Sequence, residues 1–142
     1  MITLSLLQLL ANNGLGRVNL DGSLTGNDLL FHEKLPEGKT GVYIISNGET
    51  LDRSLRTAQS FDLYARGVND IAGGVWLEDI LKFFTNECWP VCDLPKVDGY
   101  TEQGYRNCAI KPTSNVQNVG LDDTNRMIYV CSATVKYNLK EN

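Results

Sequence analysis

"AQSFDLYARGVNDIAGGVWLEDILKFFTNE", residues 58–87, changes its hydrophobic period part-way along. In the first part, Phe61, Leu63 and Ala65 alternate with Asp62, Tyr64 and Arg66. A period of two sends successive side chains to opposite faces, so 58–67 reads as a half-buried strand ending at Gly67. Further on, Leu77, Ile80, Leu81 and Phe84 recur at i, i+3, i+4 and i+7, while Glu78, Asp79 and Lys82 fall on the other side. That is the stripe of an amphipathic helix. Asn69 or Asp70 can cap its start. Gly73 and Gly74 each cost about 1 kcal/mol relative to Ala inside a helix. They mark either a frayed first turn or a place where another backbone comes close. A half-buried strand followed at once by a one-sided helix calls for a sheet with helices laid on it.

Upstream, "MITLSLLQLLANNG" carries Ile2, Leu6, Leu9 and Leu10 at helical spacing, widened by Leu4 and Leu7. Thr3 or Ser5 can start this helix, and Gly14 suits the left-handed residue after its end. No basic residue precedes the apolar run and no small-residue cleavage site follows it, so it reads as part of the mature fold of an intracellular protein. In that compartment disulfides are not expected. Residues 14–39 are rich in Gly, Asn and Asp, and read as a long connection. It includes a short strand near Arg17–Leu20 and a loop pinned by Leu29, Leu30 and Phe31. "TGVYIIS", 40–46, is a strand by its β-branched and aromatic content. The break after it is too long for a two-residue turn and implies an extended hairpin arm or loop.

Downstream, "YRNCAIKPTSNVQNVG" and "RMIYVCSATVKYNL" are two long strand candidates separated by the turn "LDDTN". Pro112 marks an edge or bulge in the first. In the second, Met127, Tyr129, Cys131, Ala133 and Val135 share one face. The predicted order is α-β-β-α-β-β. That gives a single α+β domain over residues 1–142, with a mainly antiparallel four-stranded sheet and two helices packed on it.

With 142 residues, 42% of them apolar and 21% charged, the chain suits one globular domain. A net charge of −4 argues against general nucleic-acid binding, which draws on basic patches. No apolar run is long enough to span a membrane.

Cys88 and Cys92, in "NECWPVCDLP", pose the sharpest chemical question: metal site, redox pair, or packed helix end. A structural zinc site usually has two close ligand pairs, and there is no second pair here. A redox C-x-x-C sits at a helix start, whereas this C-x-x-x-C follows a helix end. The preferred reading is therefore small buried hydrophobes, with Cys108 and Cys131 touching on adjacent strands. His32 has no orienting partner in sequence and reads as an ordinary loop histidine. Glu78, Asp79, Asp122 and Asp123 read as solvated acids on a helix face and in a turn. No catalytic, cofactor or metal residues are assigned. The remaining polar feature is "GETLDRSLRTAQSFDLYARG", where arginines are interleaved with Leu, Phe and Tyr. That composition suits a protein interface, with Arg53, Leu55, Arg56, Tyr64 and Arg66 as candidate contacts.

The run Q-S-F-D-L-Y-A-R-G at Gln59–Gly67, followed by L-E-D-I-L-K-F-F at Leu77–Phe84, resembles the minor capsid or tail-terminator proteins that join head to tail in long-tailed bacteriophages. The Leu-rich first helix, Leu35–Pro36 and the closing hairpin fit the same layout. The four cysteines and the long 86–104 connection depart from it. The resemblance implies a non-enzymatic structural protein without cofactors that closes into a homo-oligomeric, hexameric ring. Such a ring caps the head-proximal end of the tail tube and docks onto the head connector or head-closure protein. DNA passes its lumen without specific binding. The implied location is the head–tail interface of the virion, reached from the host cytoplasm during assembly. Alternatives are a head-closure or tail-tube protein, a small Cys-dependent metal-binding regulator using Cys88, Cys92 and His32, and a small cellular binding module.

Overall fold

The computed structural model describes residues 2–51, 56–67 and 71–138. In chain order these form α1 (Ile2–Asn12), β1 (Arg17–Val18), β2 (Leu29–His32), β3 (Gly41–Leu51), β4 (Thr57–Arg66), α2 (Ala72–Glu87), β5 (Cys92–Leu94), β6 (Tyr105–Pro112), β7 (Gln117–Leu121) and β8 (Met127–Tyr137).

The strands make one mixed, curled sheet, a half-barrel, in the order β1-β2-β3-β4-β8-β6-β5, with β7 also paired to β8. This corrects the expected mainly antiparallel four-stranded sheet. The first reason lies in 14–39, where the loop expected at Leu29–Phe31 is strand β2, buried over those three residues. It pairs parallel with β3, and β1 pairs parallel with β2. Strands of two and four residues are too short to display an alternation. Gly41 permits the close approach, because a Cβ there would stand 2.4 Å from the Leu29 carbonyl oxygen. The second reason is Pro112. The single long strand expected over 105–120 divides there into β6 and β7, both lying along one edge of β8. The bulge between them is held by Ser132, whose carbonyl accepts from Thr113 N at 2.9 Å and whose N–H donates to Ser114 Oγ at 2.9 Å. The third reason is β5, hidden in the 86–104 connection and paired antiparallel to β6.

The hairpin arm is β3–β4, which runs from Gly41↔Arg66 to Leu51↔Thr57 with a bulge at Asn47. β4 buries alternate residues as its period demands, and β8 does so over Cys131, Ala133, Val135 and Tyr137. Both helices lie on this face. α1 packs on β1, β2, β3 and β5, and α2 packs on β4, β6 and β8. Phe84 of α2 meets Phe61 of β4 edge-on, ring centroids 6.1 Å apart. α1 ends in a Schellman motif: Leu15 N–H bonds Leu10 O at 2.9 Å, Gly14 N–H bonds Ala11 O at 3.2 Å, and Gly14 is left-handed at φ 75°. Thr3 and Ser5 lie inside this helix, buried, rather than at its cap. The N-cap of α2 is Ile71, which provides no side-chain hydrogen bond. Asn69 and Asp70, expected in that role, fall outside the described residues. Gly74 is in place because the Tyr129 ring of β8 crosses the helix there, 3.0 Å from where a Cβ would be.

Candidate interaction surface

The helices leave the opposite face of β3, β4 and β8 uncovered by any helix among the described residues. Because side chains alternate, this face receives Tyr43 and Ile45 from β3, Asp62, Tyr64 and Arg66 from β4, and Ile128 and Val130 from β8. All are half-buried. Tyr43 and Tyr64 are direct cross-strand partners, and their rings stack at 5.1 Å with planes 10° apart. Burial pushes the Tyr43 phenol above its ordinary value, opposed by the nearby Arg66 charge. Polar pairs flank the stack: Ser132 Oγ donates to Asp62 Oδ1 at 2.5 Å, and the Ser60 and Thr134 hydroxyls meet at 3.2 Å.

The five candidate contacts separate in the structure. Tyr64 is on the open face, in the stack. Arg66 is at the end of the same strand, where its Nε donates to Asp122 Oδ2 at 2.8 Å. Arg56 is turned into its own subunit. Its Nη2 donates to Asn107 O at 2.6 Å and Lys136 O at 3.1 Å, tying the base of the hairpin tip to β6 and β8. Arg53 and Leu55 fall outside the described residues.

Asp122, expected to be a solvated turn acid, is instead the centre of a network, with a side chain 4% exposed. It accepts from Arg66 Nε, from Arg126 Nε at 2.9 Å, and from the backbone N–H groups of Thr124 and Arg126. Burial alone would raise its pKa. The hydrogen bonds from Arg126 N–H, Arg66 and Thr124 outweigh burial and hold it well below the usual carboxylate range. Arg126 reaches on to Lys39 O at 2.7 Å, which locks the β7–β8 turn against the segment entering β3. The local part of this motif was present in the sequence as an Asp followed two and four residues later by Thr124 and Arg126. The Arg66 partner was not.

Beside the network opens a cleft of about 740 Å³, walled by Phe31, His32, Lys34, Arg66, Asp123 and Arg126 among others. His32 is on β2, not in a loop. Its Nε2 is 2.6 Å from Thr3 Oγ1 of α1, and burial pushes its pKa down.

The cysteines gather differently from expectation. Cys92 faces Cys108 across the β5–β6 ladder, and Cys88 is buried at the C-cap of α2. Cys131 lies apart from them, opposite Leu63, so the expected Cys108–Cys131 contact is not formed. All four are free thiols. Among the described residues no three His, Cys, Asp or Glu side chains are placed to hold a metal ion, and no helix is long and apolar enough to cross a membrane. Comparison with protein-family models and with characterised proteins finds no match to this chain.

Proposed function

We propose that this chain is a non-enzymatic, ring-forming virion protein, a tail terminator that caps the tail tube and joins it to the head connector. The observation that carries the reading is the uncovered sheet face. A sheet with helices on one side leaves its other side to water or to a partner, and this one presents stacked tyrosines and aliphatic residues ringed by polar pairs. Aromatic side chains with a polar rim are the composition of a subunit interface. The resemblance of Gln59–Gly67 and Leu77–Phe84 to tail terminators supplies the identity of the ring. On this reading the face around Tyr64, together with the β3–β4 arm, meets the neighbouring copy head-to-tail, and such an interface closes into a ring when the rotation allows.

The test is solution mass by light scattering after gel filtration, over a range of concentrations, with the peak imaged by negative stain. Six copies of 15.8 kDa give a ring of roughly 95 kDa. A closed ring of that mass supports the terminator role. Long tubes would transfer the protein to the tail-tube role. A monomer at all concentrations, which also fails to bind purified tail tubes, overturns the proposal.

A further inference from the structure

The cleft beside the Asp122 network has a lining that a ring-forming role does not use. At about 740 Å³ it falls in the size range of small-molecule sites. Asn19 is part of its wall and only 3% exposed. The Asn19 N–H bonds Leu30 O at 2.9 Å, and its Oδ1 accepts from Leu24 N at 3.3 Å. The second bond fixes the orientation of the side-chain amide, because the flipped amide would set its NH2 against the Leu24 N–H. Nδ2 is then left buried with no hydrogen-bond partner. A buried donor that gives up water and gains no acceptor destabilises the fold, so this one calls for an acceptor.

The charge of the same wall follows from Asp122. Two guanidinium groups bond one carboxylate oxygen, Arg66 Nε at 2.8 Å and Arg126 Nε at 2.9 Å. Two positive charges against one negative leave one in excess. Arg126 commits Nη1 to Lys39 O, and its Nη2 has no partner among the described residues. His32 adds no charge at neutral pH, because burial pushes its pKa down. The acids of the lining, Glu37 and Asp123, are both exposed, where water and salt screen them. Leu20, Leu35 and Pro36 supply apolar wall.

We propose that this cleft binds a small organic carboxylate, which supplies the acceptor that Asn19 Nδ2 lacks and answers the excess charge of the Arg66–Arg126 pair, with its apolar body against Leu20, Leu35 and Pro36. One excess positive charge matches a monoanion. A phosphate dianion would exceed it and bring its second charge among Glu37 and Asp123. A planar carboxylate also suits the in-plane N–H groups of a guanidinium.

The experiment titrates benzoate into the isotopically labelled full chain and follows the Asn19 side-chain amide by NMR, with benzyl alcohol and phenyl phosphate as controls. Expected is a saturable shift of that amide with a Kd of about 1 mM or tighter, no matching response to benzyl alcohol, and weaker binding of phenyl phosphate. Asn19→Asp keeps the acceptor for the Leu24 N–H but replaces the donor with an internal counter-charge for the arginines. It should weaken benzoate binding by at least about tenfold. No saturable shift up to about 20 mM benzoate, an equal response to benzyl alcohol, or tighter binding of phenyl phosphate would each overturn the proposal. The wild-type titrations decide it even if Asn19→Asp does not fold.

Discussion

Asp122 and His32 both make stability depend on pH, and with the same sign. Asp122 has a folded-state pKa below the unfolded value of about 3.9. Its contribution is complete above that value and is lost as pH falls through and below it. His32 has a folded-state pKa below the ordinary 6.5 because burial disfavours its charged form. Below that value the unfolded chain binds the extra proton more readily, so stability falls as pH drops from about 6.5. Urea midpoints measured from pH 8 to pH 3 should therefore decline in two stages. Asp122→Asn should flatten the acid stage, and His32→Gln the upper one; unchanged slopes in both would refute these assignments. Gly41 makes a second residue-scale prediction. Gly41→Ala puts a methyl group 2.4 Å from a backbone carbonyl, at φ 158°, where the neighbouring strand cannot give way. The expected loss is roughly 2–4 kcal/mol by urea unfolding. Of these residues, only the Asp122 turn was readable in sequence. Turn chemistry is local, whereas the Arg66 and Thr3 partners lie 56 and 29 residues away.

Elements were legible in proportion to their length and to having one wet face. The alternation of β4 and β8 and the stripe of α2 repeat often enough to fix their faces, and the burial follows them. β1, β2 and β5 are too short to show a period, and β2 is buried at three of its four positions, with His32 alone as a polar residue. The short strand expected near Arg17–Leu20 is β1, but with β2 and β5 unread the parallel half of the sheet could not be anticipated. The β3–β4 arm was anticipated, but the part played by Arg56 was not, because a sequence cannot say whether an arginine faces outward or returns to its own backbone. Its two bonds to Asn107 and Lys136 carbonyls make it a brace between the arm and the β6–β8 ladder. Arg56→Ala should lower the unfolding free energy by about 1–2 kcal/mol, more than an ordinary surface arginine. An unchanged midpoint combined with lost self-association would return Arg56 to the interface.

At the scale of the molecule, a curled sheet with both helices on one side has one face left to satisfy. Burying that face in a ring must overcome the repulsion between copies that each carry a net charge of −4. Salt screens such repulsion, with a Debye length near 10 Å at 0.1 M, and leaves apolar burial nearly untouched. Association through the tyrosine face should therefore strengthen as salt rises from about 20 to 200 mM, opposite to the behaviour of an interface held by ion pairs. The decisive variant is Tyr64→Glu. Tyr64 points away from the core, so the subunit should lose only its stack with Tyr43, about 1 kcal/mol, and remain folded. The substitution places a carboxylate at the centre of the proposed interface, near Asp62 and beside Arg66, whose guanidinium is already engaged by Asp122, so burying it against a partner would cost desolvation. Light scattering should then report a monomer at concentrations where the wild type is a ring. Glu78→Lys, on the solvated face of α2, should leave the ring mass unchanged. If Tyr64→Glu keeps the wild-type mass while remaining folded, the subunits meet elsewhere, and the exposed Val119 and Leu121 on β7 become the surface to substitute next.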